Sequence, residues 1–156
     1  MNTEAQLIVA NASKVAGNFD DAIRRYIEII TSDTDSPEGD SAIQYLCQIL
    51  IRVNRLDEAE IWLKKSKNRF EYNLNWTGLG NTLVMLGTLN ANRLNYEDAI
   101  DNLMEARQLS AKENLVSTNI RAITNLGIIY KNTNKLEQAK SLLNEALVLA
   151  RTNQDE

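Results

Sequence analysis

The sequence predicts an all-α chain built from four antiparallel helix pairs, and three observations predict it. One Pro and six Gly in 156 residues leave little to interrupt helices, and few β-branched runs alternate as strands would. Four segments share the order turn, apolar or aromatic residue, two polar residues, Ala: Asn18-Phe19-Asp20-Asp21-Ala22, Arg55-Leu56-Asp57-Glu58-Ala59, Asn95-Tyr96-Glu97-Asp98-Ala99 and Lys135-Leu136-Glu137-Gln138-Ala139. The spacing from Ala22 to Ala59, Ala99 and Ala139 is about 40 residues per step, which is a repeat of supersecondary size. The third observation is a bulky–small pair between three and four helical turns upstream of each alanine: Val9-Ala10, Leu46-Cys47, Leu86-Gly87 and Leu126-Gly127. A small residue there lets two helices approach closely.

Taken in order, each unit is a first helix, a turn and a second helix. The second helix follows from the alanine: four residues on comes Tyr26, Leu63, Leu103 or Leu143, and three further Ile29, Ser66, Ala106 or Ala146, which is one helical face. The expected helices span 2–16, 19–31, 37–53, 56–68, 74–93, 96–110, 114–133 and 136–151. Gly17, Asn54 and Asn134 occupy one slot, five residues before the alanine, where a left-handed residue stops the first helix. Leu94 holds that slot in the third unit, so either the turn shifts onto 92–95 or that first helix runs longer. Between the first two units, Asp33-Thr34-Asp35-Ser36-Pro37-Glu38 offers Ser36 as an N-cap and Pro37 as the first helical residue. We expect one domain over 1–151, with units at about 3–34, 40–73, 80–113 and 120–151, and a frayed tail at 152–156.

Composition narrows the chemistry. A domain of this length buries about 68–70% of its unfolded surface without needing disulfides or metals, and Cys47 has no partner with which to form a disulfide within the chain. Seventeen Lys and Arg against 21 Asp and Glu give a net charge of −4, so no bulk positive field gathers nucleic acid. The chain has no His, which removes the commonest general base and metal ligand. No catalytic residue, metal site or cofactor is expected. The start carries an acid early and too short an apolar run for a signal peptide, and no stretch approaches the roughly 20 apolar residues of a membrane span. A cytoplasmic chain without membrane insertion is the expectation.

Features that could carry chemistry have plainer readings. Asp20-Asp21, Asp57-Glu58 and Glu97-Asp98 recur in the first turn of a helix, where negative charge meets the positive end of the dipole. Lys64-Lys65-Ser66-Lys67-Asn68-Arg69 falls in a last turn, where cations belong. Cys47 fills the small-residue slot, so it is a packing residue. Trp62, Phe70, Tyr72 and Trp76 are expected to pack at junctions between units. Gly78 and Gly80 follow no strand and precede no Lys-Ser/Thr, so they make no phosphate loop.

The pattern resembles the tetratricopeptide repeat. In the fourth unit Leu126-Gly127-Ile128-Ile129-Tyr130 matches its L-G-x2-Y, Ala139 and Leu143 match its A-x3-F, and Ala146 its last small position. Ser13 and Asn90 stand where the family prefers an aromatic, no unit ends in the family's Pro, and the period is longer than the family's usual one, which implies longer helices. The resemblance implies a right-handed α-solenoid whose concave groove, lined mainly by first helices, holds a peptide or a partner helix. Carried over by register, the groove positions are Gln44, Gln48, Asn81, Thr88, Arg121, Thr124, Asn125, Ile128 and Asn132. Their amides could pair with an extended peptide whatever its sequence, or could sample only the chain's abundance of Asn. The family's clamp for acidic chaperone tails (Lys, Asn, Asn, Lys, Arg) lands on Gln44, Gln48, Met85, Arg121 and Asn125, one base where three are needed, so a neutral or mixed peptide fits better.

The implied function is a non-catalytic protein-interaction scaffold. Members with units of this length include peptide-sensing regulators and cargo adaptors, and a peptide-sensing domain is the alternative. A second surface comes from the residues of 136–151. Leu142, Leu147 and Val148 belong to more apolar surface than one unit uses, and no polar capping helix follows in the sequence. That face is expected to pack on another copy as a homo-oligomer, on a partner or on further repeats.

Overall fold

The computed structural model describes residues 2–32 and 36–153. Those residues form eight α-helices and no strand: α1 Thr3–Val15, α2 Phe19–Ser32, α3 Pro37–Arg52, α4 Leu56–Tyr72, α5 Trp76–Asn92, α6 Tyr96–Lys112, α7 Val116–Asn132 and α8 Leu136–Thr152. The expected turn residues 33–35 and the tail residues 154–156 lie outside the described residues. Two differences from expectation stand out. Helix α4 runs to Tyr72 instead of 68, because Ser66 and Phe70 are fully buried and hold its last turns. Thr152, expected in the tail, closes α8 and bonds back to the carbonyls of Val148 and Leu149. The lysine run therefore lies inside α4, with Lys64 paired to Glu60 at 2.7 Å and Lys67 facing Glu71 and Glu105.

The turns share one geometry. Asn54, Leu74, Leu94, Asn114 and Asn134, evenly spaced at half a repeat, all have φ between 55° and 62°, and Gly17 has 79°. In each, the next residue's N–H donates to a carbonyl five residues back: Arg55 to Leu50 at 2.8 Å, Asn95 to Asn90 at 2.9 Å, Lys135 to Tyr130 at 2.8 Å. This satisfies carbonyls the helix end would otherwise leave open. Leu94 thus neither shifts the turn nor lengthens the helix; it takes the left-handed conformation itself. The hydrogen-bond pattern overrides the preference of a Leu for negative φ. Helices of 17 residues joined by such turns absorb the long period, since α4 to α8 all have that length.

The chain divides into two compact units, Met1–Ser66 and Lys67–Glu156. In the first, Asn2 and Ser36 cap α1 and α3 through their side chains, and Pro37 opens α3 as expected. Tyr26 on α2 is buried and donates to Asn11 Oδ1 on α1 at 2.6 Å, while its ring lies 5.8 Å from that of Tyr45 on α3. Ser13, where an aromatic was the rule, donates to Asp21 Oδ2 at 2.7 Å. Arg25, Ser13 and Arg24 hold the Asp21 carboxyl well below the usual carboxylate range by hydrogen bonding. Asp20 and Glu58 both face Arg55, so these first-turn acids are structural.

In the second unit the small residues do what the spacing implied. A Cβ on Gly87 would stand 2.5 Å from Leu103 Cγ, and one on Gly127 2.8 Å from Leu143 Cγ. These contacts clamp α5 to α6 and α7 to α8 as antiparallel pairs. Gly78 is equally tight against the Phe70 ring, and Gly80 packs against Thr118, which gives the two junction glycines a packing role and no phosphate. The core carries Leu79, Leu83, Val84, Met85 and Leu89 from α5 with Leu103, Ala106, Ile123 and Leu126.

Candidate functional site

The candidate groove residues come from first helices. Gln44, half-buried, and Gln48, exposed, lie on α3 in the first compact unit. Asn81 and Thr88 on α5, and Arg121, Thr124, Asn125, Ile128 and Asn132 on α7, lie in the second.

The structure brings four of those seven together. Arg121 Nη1 donates to Asn81 Oδ1 at 2.9 Å, and Asn125 Nδ2 donates to Thr88 Oγ1 at 3.1 Å. Thr118, which sequence reasoning passed over, donates to Asn81 Oδ1 at 3.2 Å. Its signal was register: Thr118 stands one repeat after Gly78, on the face that meets the neighbouring first helix. The amides are therefore partly engaged in holding α5 to α7. Thr124 and Thr88 bond back to the carbonyls of Ile120 and Val84, as helical threonines do. Asn132 is exposed in the last turn of α7, and Ile128 is 45% exposed and makes no part of the polar seam.

Charge on this face comes from Arg121. It is exposed as a residue, yet loss of water around its guanidinium pulls its pKa below the usual arginine value. Among the described residues, no carboxylate pairs with it. One amide nearby is also unusual: Asn119 Oδ1 on α7 is buried with no hydrogen-bond partner.

Other candidates resolve structurally. Cys47 is buried, and burial pushes its thiol up to about 12, which leaves no thiolate for chemistry near neutral pH. Lys65 lies 4.4 Å over the Trp62 ring. Among the described residues, no group of three or more His, Cys, Asp or Glu is placed to hold a metal ion, and no helix is long and apolar enough to cross a membrane.

The second candidate surface is on α8, where Leu142 is half-buried, Leu147 is 48% exposed and Val148 59% exposed. Leu136 and Leu143 are also open and extend the apolar area beyond the expected trio. A cleft of about 130 Å³ between Val116 and the Leu149, Thr152, Asn153 end of α8 adjoins it.

Comparison with known proteins places this geometry. Residues 120–153 match the sequence model described as tetratricopeptide repeat. No curated protein matches the chain by sequence. Among solved structures, BtubC (BKLC) from P. vanneervenii is similar with a TM-score of 0.80 at 16% identity, covering 99% of this chain and 65% of that one. The chain thus spans slightly under two thirds of that protein's length. MamA (41-end) from Desulfovibrio magneticus RS-1 is similar with a TM-score of 0.70 at 14% identity, covering 97% of this chain and 77% of that one. A Podosopora anserina protein described as a putative kinesin light chain with nearly identical TPR-like repeats gives 0.60 at 11% identity, covering 98% and 96%. Residues 120–153 thus carry a tetratricopeptide repeat recognised by sequence, and the eight helices share the fold of these repeat structures.

Proposed function

We propose that this protein is a non-catalytic scaffold that holds a peptide or a partner helix of another protein against the first-helix face, and that residues 1–151 act as one repeat domain in doing so. The observation that supports this is the α5–α7 seam: Asn81, Thr88, Arg121 and Asn125 are polar, half-buried or exposed, and fixed in place by one another. Fixed donors and acceptors lose little freedom when a ligand arrives. Asn125 gives one amide N–H to Thr88, and its amide group offers more than that one bond with which to meet a peptide. Gln44 and Gln48 on α3 are proposed to offer a peptide amide groups of the same kind within the first compact unit, and a cytoplasmic setting is part of the proposal.

The test is selection of ligands from a displayed random-peptide library, followed by amide-shift mapping of the selected peptide on the labelled protein. The proposal expects shifts at Asn81, Thr88, Arg121 and Asn125 and weakened binding in Asn125→Ala. Shifts confined to α6 or α8, or a library that yields no binder, would overturn it.

A further inference from the structure

The repeat register allows each position to be compared with its counterparts one repeat away, the first step being three positions shorter than the others. Ala12 on α1 stands where Ile49, Leu89 and Ile129 stand on α3, α5 and α7, and Ile8 stands where Met85 stands on α5. Those four counterparts are buried, yet Ile8 is 63% exposed and Ala12 is exposed as well. Helix α1 thus leaves open the face that later first helices cover. The opposite end of the series leaves open the complementary face. Leu143 on α8 is 37% exposed where Leu63 and Leu103 are fully buried, and Ile128 on α7 is open where Thr88 lies under Asn125.

We propose that two copies of this chain associate head to tail, with α1 of one seated on α7 and α8 of the other, so that repeat packing continues from molecule to molecule. The contacts inside the second unit specify the pairs. The bond from Arg121 to Asn81, moved on by one repeat, sets Glu4 of the incoming copy against Arg121. Moved likewise, the Thr88 to Asn125 contact sets incoming Ile8 on Ile128. An acid thus meets a guanidinium that has no carboxylate among the described residues, and two exposed isoleucines cover each other. The ion pairs between second helices, Lys67 with Glu105 and Arg107 with Glu145, move on to Leu147 and incoming Glu28. Leu147 lacks the cation of that ladder, so the junction between molecules is weaker than one within the chain. A pairing of α8 with its own copy would leave Ile8 and Glu4 unused. Head-to-tail contacts do not close on two copies and so permit longer assemblies. This inference stands whether or not the seam also binds peptides.

Sedimentation and light scattering of the whole chain test it, with circular dichroism confirming the fold of each variant. The wild type is expected to exceed its 17.6 kDa monomer mass increasingly with concentration. Ile8→Glu and Ile128→Glu, both at exposed positions, should each remain monomeric alone. Mixed in equal amounts they should form a dimer and nothing larger, because each keeps one intact end. Arg121→Glu should weaken association at least several-fold, and adding Glu4→Arg to the same chain should restore it. Leu147→Arg should tighten it in a salt-sensitive way. A wild type that stays monomeric into the millimolar range would overturn the proposal, as would association that survives Ile8→Glu, a mixture that fails to dimerise, or a charge swap that fails to restore.

Discussion

At Leu94 the backbone holds φ at +62° while the side chain is 71% exposed, so the residue carries left-handed strain with little burial in return. That conformation costs an ordinary L-residue about 1–2 kcal/mol, and Asn tolerates it best after Gly. Leu94→Asn is expected to raise stability by about 1 kcal/mol, read as a higher urea midpoint with unchanged helicity. Asn119 predicts the same direction for another reason. Its orphaned Oδ1 lies at the register of Leu79, so Asn119→Leu removes an unmet polar atom and is expected to stabilise by about 1–2 kcal/mol. The opposite sign holds at Gly87, where a methyl has no room beside Leu103. Gly87→Ala should cost about 1–3 kcal/mol, visible in thermal melts.

Titration at buried residues gives a further expectation. Cys47 is raised from 9.0 and Tyr26 from 10.0, both to about 12, chiefly by burial. Their neutral forms suit the folded chain, so this stability is fully present below pH 9 and is lost as pH rises toward 12. Urea midpoints should fall across that window, and fall less in Cys47→Ala, which copies Ala10. A thiol reagent should label Cys47 only as the chain unfolds.

At the scale of the element, the spacing of the alanines and the small residues already located every helix, because those positions are fixed by contact between helices. The end of α4 was hidden, since a run of cations imitates a last turn, while the residue that prolongs the helix, Phe70, is buried with Gly78 packed on its ring. The turn at Leu94 was equally hidden: side-chain preference points one way, and the repeated carbonyl-closing bond points the other. The candidate groove was legible as a set of positions and not as a state. Whether Asn81 meets a ligand or Arg121 depends on which neighbour lies across the face, and one helix's sequence does not carry that. Helix α5 has nine buried residues, the most of any, while α8 has two, the fewest among the second helices. Amide exchange should be slowest in α5 and fastest among the second helices in α8.

For the whole molecule, the quasi-linear build of repeat proteins makes stability a sum over units and their junctions. An end whose apolar face is uncovered lacks one junction term. Association at the α1 and α8 faces should therefore raise the melting temperature with protein concentration, and Ile8→Glu should abolish that dependence without changing the limit at low concentration. The division between the two compact units, Met1–Ser66 and Lys67–Glu156, falls within α4 and not at a turn.

The even spacing of the left-handed turns has a genetic consequence. A cut just after Leu74 and another just after Asn114 fall at equivalent places in the same turn, so excising 75–114 joins like to like and keeps first and second helices in alternation. Unequal recombination in steps of one whole repeat can therefore lengthen or shorten this chain without inventing a new joint, whereas a step of half a repeat would put a second helix where a first belongs and turn its seam outward.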